Sequence, residues 1–419
     1  MKRIIVITAI FIFGILGARI AGADIADLQT KIGERNAQIA ALEKEIAAYQ
    51  GELDKLGGEA STLKNAIAEL DLTRRKLLTE IKATESKISA ATLSIDSLTE
   101  NILVQENRIG RGNAGLEKAL RLLAEVHREN PVEIFLNENG FSGAWREADA
   151  LRAVEARLTE RIRSVKELKA GLEQDRTALD AKRRELTGLK NERADRKRIA
   201  DGERATQQAF LTSTKNKETN YKKLLQDRLA LREAFENELL EYESQLKFEL
   251  DPSRLPQTGS GVLRWPLDTI KITQYFGATA FAKSGAYNGQ GHNGVDFRAG
   301  IGTPVKTALS GIVKGVGDTD RTCSGASYGK WVLVEHGNGL TTLYAHLSLI
   351  RVAEGQGVST GEVIAYSGAT GYATGPHLHF TVFATQGVEV ATRPSRVCVK
   401  NYILPVANPG AYLNPLSYL

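Results

Sequence analysis

Hydrophobic residues in the first half of the chain recur every three and four positions. This spacing holds from Ile25 to Ile109 with few exceptions, and a second, weaker series runs from Leu151 to Phe235. A period of 3.5 residues is typical of helices that wind into a left-handed coiled coil. We therefore predict an antiparallel coiled-coil hairpin over residues 24–250, with a first helix about 125 Å long at a rise of about 1.5 Å per residue.

The stretch between the two series, near residues 110–147, is predicted to form the tip of this hairpin. Five glycines and Pro131 interrupt it. Apolar and aromatic side chains are concentrated in Val132–Leu136, Phe141 and Trp145. Two interpretations stay open: these side chains close the coiled coil as a small cap, or they form a docking surface for a partner.

After residue 261 the hydrophobic period changes to two. Short runs of β-branched and aromatic residues alternate there with turn residues, which is the pattern of strands. No helical period separates the runs, so we predict an antiparallel β domain over residues 262–419, joined to the helices by a linker at 251–261. The predicted strands are Ile270–Phe276, Thr303–Leu309, Gly311–Val316, Lys330–His336, Leu340–His346, Glu362–Tyr366 and His377–Ala384.

Glycine and proline follow the same boundary. Residues 24–250 hold 12 glycines and one proline, whereas residues 259–419 hold 24 glycines and seven prolines. Helix interiors disfavour both residue types, and turns use them. The predicted fold class is therefore α+β multidomain, a long antiparallel α-helical coiled coil followed by an antiparallel β-sheet domain.

The first 23 residues have the pattern of a secretory signal peptide. Lys2 and Arg3 precede an apolar run, and Ala21–Ala23 provides a small-residue cleavage site. An uncleaved anchor is the alternative, although Arg19 makes the run short for a membrane span of about 20 residues. In either case we expect export, to the periplasm or the cell-wall space.

The charge balance argues against nucleic acid as a partner. The formal net charge is +5, but three of these positive charges lie in the predicted signal peptide, and its removal leaves +2. A basic stretch at 183–198 is interspersed with acids, so we expect a solvated helix face there.

Two cysteines, Cys323 and Cys398, both lie in the β domain. In an oxidising compartment such a pair is expected to form a disulfide, and the lack of a Cys-x-x-Cys spacing argues against metal ligation. The bond would stabilise the domain by about 4 kcal/mol if its geometry is unstrained.

Four of the six histidines stand in three separate motifs of the β domain. His292 lies four residues before Asp296 in a glycine-rich segment. His377 and His379 alternate along one predicted strand, so both imidazoles lie on the same face of the sheet. His346 ends another predicted strand.

These residue types suit a hydrolytic zinc site. Such a site takes three protein ligands of the histidine and carboxylate type and leaves a fourth position open. Histidines outside the ligand set can move protons or stabilise a developing negative charge. Two histidines buried on one sheet face without a metal or an acid partner would be costly. Together the motifs therefore predict a metal site more specifically than any one of them alone.

With these motifs the β domain resembles the LytM-type (M23 family) peptidoglycan endopeptidases. The likeness covers the chain from about Trp265 to Val390. The matching segments are Gln274–Gly277, His292–Asp296, Gly302–Val305, Tyr344–Leu347, Gly355–Val358, Thr370–Gly371 and Gly375–Phe380.

The resemblance implies an exported zinc endopeptidase that cleaves peptide bonds of peptidoglycan during cell-wall remodelling or division. By the family pattern the zinc ligands are His292, Asp296 and His379, and the catalytic pair is His346 and His377. His336 has no place in the pattern and is expected to be structural.

The order of signal, coiled-coil hairpin and LytM domain also resembles the EnvC-type murein hydrolase activators. That resemblance implies the alternative function, a non-enzymatic activator of a murein amidase, with a tip that docks to an FtsX-type membrane protein of the division machinery. Those activators have degenerate sites, whereas every expected ligand is present here, so the enzyme is the leading prediction. A scaffold that only binds the wall is a third interpretation.

Four properties are left open by the sequence: the bond that is cut, the oligomeric state, the identity of the docking partner and the regulation of the site. The segment Ala205–Leu250 is predicted to be helical and leads directly into the β domain. We expect this helix to restrain the activity.

Overall fold

The computed structural model describes residues 21–56, 62–126, 140–215, 217–244, 253, 255–278, 291–373 and 375–419. Long helices come first and strands follow, so the α+β class is confirmed. Residues 1–20 of the predicted signal peptide and residues 132–136 of the predicted tip lie outside the described residues, as does the side chain of Phe141. Within the described stretches, no helix combines the length and apolarity that crossing a membrane requires.

Four α-helices make up the described N-terminal region: α1 (Ala21–Leu56), α2 (Leu63–Val126), α3 (Gly140–Thr214) and α4 (Glu218–Ser244). The prediction of one continuous first helix is wrong, because α1 ends at Leu56 and α2 begins at Leu63. The two are antiparallel: Lys76 Nζ on α2 donates to Gln50 Oε1 on α1 at 2.7 Å. Gly57-Gly58 follows α1 in the sequence, and each glycine costs a helix interior about 1 kcal/mol.

The chain divides into two compact units, and the first contains Lys82–Arg193 together with the chain up to Ala41. In this unit α2 and α3 are antiparallel. Gln105 Nε2 donates to Asp175 Oδ2 at 2.6 Å, and Arg193 Nε donates to Glu85 Oε1 at 2.8 Å. The second unit contains Leu42–Ile81 and Ala194–Leu419.

The glycines that were expected to interrupt the first long helix lie inside α2 instead. The helix continues through Gly110, Gly112 and Gly115 to Val126, so the predicted tip begins later than expected. Gly112 has a packing role, because a Cβ added there would lie 2.7 Å from Cγ2 of Val165 on α3. Its missing side chain lets the two helices approach closely.

The β domain contains twelve described strands. They are β1 (Ile272–Gln274), β2 (Val295–Arg298), β3 (Pro304–Lys306), β4 (Gly311–Asp318), β5 (Lys330–His336), β6 (Leu340–Ile350), β7 (Gly357–Val358), β8 (Val363–Ser367), β9 (His377–Ala384), β10 (Val388–Ser395), β11 (Lys400–Ala407) and β12 (Tyr412–Leu413). Ten form one sheet, with the order β1-β2-β9-β6-β5-β4-β7, in which β12 pairs with β9, and β8 with β6 and β3. All pairs are antiparallel, as predicted.

The sequence did not predict the hairpin of β10 and β11, which forms a separate two-stranded sheet. Pro394 and Pro405 lie in these strands and oppose an assignment to a central sheet. A disulfide joins Cys398, between the two strands, to Cys323, 75 residues earlier in the chain. The C-terminal tail is therefore tied to the loop that follows β4.

Alternate residues of the central strands pack into two apolar clusters on opposite faces of the sheet. The first cluster takes from β9 the residues Leu378, Phe380 and Val382. The second cluster contains Phe383 of β9. The β10–β11 hairpin and Phe235 of α4 pack on this cluster. Because side chains alternate along a strand, His377 and His379 lie on this second face.

Within the second unit the helices contact the β domain directly. The apolar part of this contact consists of Leu77, Ile199, Ile301 and Tyr366. The buried Asp195 on α3 pairs with Nε of Arg351 at 2.9 Å. The prediction that the basic stretch at 183–198 is solvated is therefore only partly correct, since the side chain of Arg196 is 12% exposed and pairs with Glu80 on α2.

Candidate metal centre

Two neighbouring strands bring the three predicted ligands together. β2 pairs with β9 so that Asp296 lies directly opposite His379. His292 precedes β2 and forms an isolated antiparallel bridge with Gly277. The short sequence distance between His292 and Asp296 and the pairing of two distant strands thus produce one cluster.

The ligand atoms of this cluster face one another. Oδ1 of Asp296 lies 2.9 Å from Nδ1 of His379 and 3.3 Å from Nε2 of His292. The two imidazole nitrogens are 3.2 Å apart. All three residues are buried, and the three atoms form a group that could hold a metal ion.

The second nitrogen of each ligand histidine has a partner on the side away from the cluster. Nδ1 of His292 lies 3.0 Å from the carbonyl oxygen of Tyr275, and a carbonyl only accepts, so Nδ1 carries the proton and Nε2 presents its lone pair to the cluster. Nε2 of His379 lies 2.9 Å from the hydroxyl of Thr381, which can accept its proton. Two lone pairs and a carboxylate that face one another fit a cation, and this donor set is one that zinc prefers.

The other two histidines lie beside this cluster. The rings of His346 and His377 have centroids 4.7 Å apart, and Nε2 of His377 lies 3.7 Å from Oδ1 of Asp296. Nδ1 of His346 donates to the carbonyl of Thr370 at 2.8 Å, and Nδ1 of His377 donates to that of Gly375 at 2.8 Å. In both rings Nε2 is therefore the nitrogen that can exchange a proton with a substrate.

The backbone of His346 adopts an uncommon conformation. Its φ is +58°, in the left-handed region that few residues other than glycine occupy. Its amide donates to the carbonyl of Tyr328 at 2.9 Å. The loop before β5 and the loop after β8 meet at Gly329 and Gly371, since a Cβ added to Gly329 would lie 2.4 Å from the amide nitrogen of Gly371. This close approach holds the carbonyl of Thr370, which orients the His346 ring.

Burial and neighbouring charges shift the proton affinities of the cluster. Burial lowers the pKa of His379, and it lowers the pKa of His346 well below the usual range. Burial opposes ionisation of Asp296, yet the neighbouring His377, His292 and His379 hold the pKa of this carboxyl well below its usual range. The cluster thus favours an ionised Asp296 carboxylate beside neutral imidazoles of His346 and His379.

His336 lies outside this site, as the family pattern implies. Its Nδ1 is 3.2 Å from the carbonyl of Ser310, and its Nε2 is 2.9 Å from the hydroxyl of Thr342. Two residues at the site were not predicted, Thr381 and Tyr328. Thr381 was detectable, because it lies two residues after His379 on the same strand face; Tyr328 lies in a loop and has no such signal.

Comparison with known proteins points to the same family as the motifs. Residues 290–392, which include all five site residues, match the model of Peptidase family M23. Over 89 residues the chain is 45% identical to the DD-carboxypeptidase/endopeptidase Mpg of Neisseria meningitidis serogroup B. It is 47% identical over 89 residues to the peptidoglycan DD-endopeptidase ShyA of Vibrio cholerae serotype O1. Each match covers 21% of this chain and only 19% of the relative.

Among solved structures, the catalytic domain of the antimicrobial peptidase lysostaphin from Staphylococcus simulans is similar to this chain. The match covers 35% of this chain and 90% of that one, at 28% identity and a TM-score of 0.27. The family model covers the strands and histidines that build the cluster. The β domain of this chain is therefore a domain of peptidase family M23.

Proposed function

We propose that this chain is an exported zinc-dependent endopeptidase that cleaves peptide bonds of peptidoglycan. The observation that carries the proposal is the meeting of one carboxylate oxygen and two imidazole lone pairs, from Asp296, His292 and His379, within 3.3 Å of one another. Its occurrence in an M23 domain, with relatives that are named peptidoglycan DD-endopeptidases, supports the substrate class.

Zinc held by these three residues would polarise a peptide carbonyl and lower the pKa of a water molecule. His346 and His377 supply the proton chemistry. Hydrolysis requires that a proton leave the attacking water and that the departing peptide nitrogen gain one. Each histidine can perform one of these transfers through Nε2, because its Nδ1 is bound to a carbonyl.

The test is hydrolysis of purified sacculi by the chain from residue 24 onward. Wild type should release peptides, a chelator should abolish the release, and added zinc should restore it. His379→Ala should release none. His336→Gln, which replaces a buried histidine outside the site, is the matched control and should keep the activity. Release that survives both chelation and His379→Ala would contradict the proposal.

The long helical hairpin favours one alternative, an activator of a murein amidase. That function predicts stimulation of a purified amidase by wild type and by His379→Ala alike. The enzyme would be supported instead if wild type released peptides without added amidase and if His379→Ala did not stimulate the amidase.

We also propose that the hairpin tip docks to an FtsX-type membrane protein. The support is Trp145, near the start of α3, whose side chain is 59% exposed. Trp145→Ala should weaken binding to such a partner, measured by titration with the purified membrane protein. Unchanged affinity would leave the tip as a cap of the coiled coil.

The expected restraint of the site by the last helix stays a prediction. The C-terminal half of α4 contacts the β domain, where Phe235 packs in the second apolar cluster and Glu238 binds the hydroxyl of Ser395 at 2.8 Å. At the start of the helix, Glu218 accepts a hydrogen bond from the amide of Leu63 on α2 at 2.9 Å. The test compares peptide release by residues 24–419 with release by residues 257–419, which lack this helix. Faster cleavage by the shorter chain would support restraint by the helix, and equal rates would contradict it.

A further inference from the structure

The loop that follows β4 carries a carboxylate with two backbone partners. Asp320 lies in a short 3-10 turn, Thr319–Arg321. Its Oδ1 accepts the amide hydrogen of Gly325 at 2.6 Å, and its Oδ2 accepts that of Gly371 at 2.7 Å. The first bond lies within the loop, whereas the second crosses to the loop after β8. No step of the proposed reaction uses this carboxylate.

The amide of Gly371 belongs to the same peptide group as the carbonyl of Thr370. That carbonyl accepts the Nδ1 proton of His346 at 2.8 Å. The peptide bond is trans, so its carbonyl and its amide hydrogen point in opposite directions. One peptide group therefore lies between the carboxylate of Asp320 and the imidazole of His346, with a hydrogen bond on each side.

The packing of the two loops requires glycine at position 371. A Cβ added to Gly371 would lie 2.3 Å from the amide nitrogen of Gly329, and the φ of Gly371 is +66°. Without a Cβ, glycine adopts positive and negative φ about equally readily, so the peptide group before it can rotate at little steric cost. The bond from Asp320 opposes this rotation, because it holds the amide hydrogen on the side away from His346.

Other hydrogen bonds hold the two ends of this peptide group. The hydroxyl of Thr370 donates to the carbonyl of Leu347 at 2.8 Å. The amide of Tyr372 donates to the carbonyl of Ser327 at 3.0 Å. Neither bond involves the carbonyl or the amide of the peptide group itself. They therefore fix its ends and leave the rotation of its plane to the two bonds across it.

The orientation of this peptide group determines which nitrogen of His346 carries the proton. A carbonyl only accepts, so in the present orientation Nδ1 carries the proton and Nε2 can accept another. A reversal of the peptide group would bring the amide of Gly371 toward Nδ1 instead. An amide only donates, so Nδ1 would then present its lone pair and Nε2 would carry the proton. The ring could no longer accept a proton through Nε2.

We propose that Asp320 is a positioning residue for His346. It acts through the peptide group of Thr370 and Gly371, whose carbonyl it holds toward the imidazole. A carboxylate at the amide end of the group also polarises the carbonyl, and aligned hydrogen bonds strengthen one another. The inference rests on the proposed function for its catalytic readout, whereas the position of the proton on His346 is measured without a substrate.

The test compares two alanine variants of the same loop in the chain from residue 24 onward. Asp320→Ala removes both acceptors of the carboxylate. The matched control is Asp318→Ala, which removes the same side chain two residues earlier. Oδ1 of Asp318 accepts the amide hydrogen of Asp320 at 3.2 Å. Among the described hydrogen bonds, none joins the side chain of Asp318 to the loop after β8.

The first readout is the position of the proton on His346, measured by the nitrogen-15 chemical shifts of the ring at a pH where it is neutral. The signals are assigned by their loss in His346→Gln. Wild type and Asp318→Ala should carry the proton on Nδ1. In Asp320→Ala the population with the proton on Nε2 should rise, because the peptide group can reverse. An unchanged proton position in Asp320→Ala would overturn the proposal.

The second readout is activity, measured by peptide release over a range of sacculus concentrations. Asp320→Ala should lower kcat by about tenfold or more at an unchanged KM, since it loses strong hydrogen bonds that hold a proton-transfer group in place. Asp318→Ala should keep kcat within about twofold of wild type, although both variants lower the melting temperature. Equal values of kcat for the two variants would overturn the proposal.

Zinc affinity shows whether the site as a whole is disturbed. It is measured by competition with a chromophoric chelator. Both alanine variants should bind zinc within about twofold of wild type, since neither residue bonds a ligand. A loss of zinc affinity in Asp320→Ala that matches its loss of kcat would overturn the proposal, because the whole site would then be disordered.

Asparagine provides a second pair of variants. Asp320→Asn keeps the shape of the side chain but offers one oxygen to two amides. If circular dichroism shows that Asp320→Ala does not fold, Asp320→Asn is compared with Asp318→Asn, whose single oxygen suffices for the one amide that it binds. The same differences in kcat and in proton position are expected, and their absence would overturn the proposal.

The outcomes separate this inference from the proposed function. If wild type cleaves no sacculus, the proposed function fails and the proton position on His346 still decides the inference. If wild type cleaves sacculi while the two alanine variants agree in proton position and in kcat, only the inference fails.

Discussion

Replacement of Glu243 by glutamine should remove much of the pH dependence of the stability of the β domain. Burial raises the pKa of this carboxyl from 4.5 to about 8, because the charged form loses its hydration. The hydrogen bonds from Tyr412 and Ala407 only partly offset that loss. Neither of these two groups carries a charge, and no cation among the described residues contributes to the pKa of Glu243.

The sign of the effect follows from proton binding. Between pH 4.5 and about 8 the folded chain holds a proton on Glu243 that the unfolded chain releases. Stability from this group is therefore complete below the unfolded pKa and is lost as the pH rises through the folded pKa. At about 1.4 kcal/mol per pKa unit, the loss between about pH 5.5 and pH 7.5 is about 2.5 kcal/mol.

The assay is urea unfolding of the chain at these two pH values, followed by tryptophan fluorescence. A Trp145→Phe background leaves Trp265 and Trp331, which both lie in the β domain. Glutamine has no ionisation cost, so Glu243→Gln should be more stable than its parent at the higher pH by about 2 kcal/mol or more. The matched control is Glu241→Gln, which replaces a 50% exposed carboxylate of the same helix.

Parallel pH profiles for Glu243→Gln and its parent would refute the reasoning. They would mean that the buried carboxyl has enough partners to ionise at no cost. An equal gain in stability from Glu241→Gln would also refute it, because the gain would then come from the general loss of one negative charge.

Three further predictions concern packing. Gly110→Ala should raise the helix melting temperature by circular dichroism, since nothing lies near the new Cβ, whereas Gly112→Ala should not, because its Cβ would meet a side chain at 2.7 Å. Replacing both Cys323 and Cys398 by serine should destabilise the β domain by about 4 kcal/mol in urea unfolding, since the bond closes a long loop. Leu77→Ala should cost about 3 kcal/mol by the same assay, because Leu77 is 1% exposed in the contact between helices and sheet. An unchanged free energy of unfolding in the double cysteine variant or in Leu77→Ala would contradict the corresponding prediction.

The strands that carry the site were predictable because their periodicity is local. The predicted bounds of β5 and β9 match the structure, and β9 carries two of the site histidines. The alternation of side chains along a strand was enough to place His377 and His379 on one face. The prediction for the first long helix was wrong because the heptad pattern continues past Leu56, where α1 ends, into α2, which is antiparallel to it.

The sequence alone determined the change from helices to antiparallel strands and the residue types of the metal site. Both features depend on local patterns: the periodicity of hydrophobic residues, and motifs whose own residues lie within a few positions of one another. The tertiary structure decided that Asp296 lies opposite His379, which nitrogen of His292 faces the cluster, and that Glu243 reaches Tyr412. Such contacts join residues that are far apart in the chain. Their geometry depends on strand pairing and helix packing, which no local pattern records.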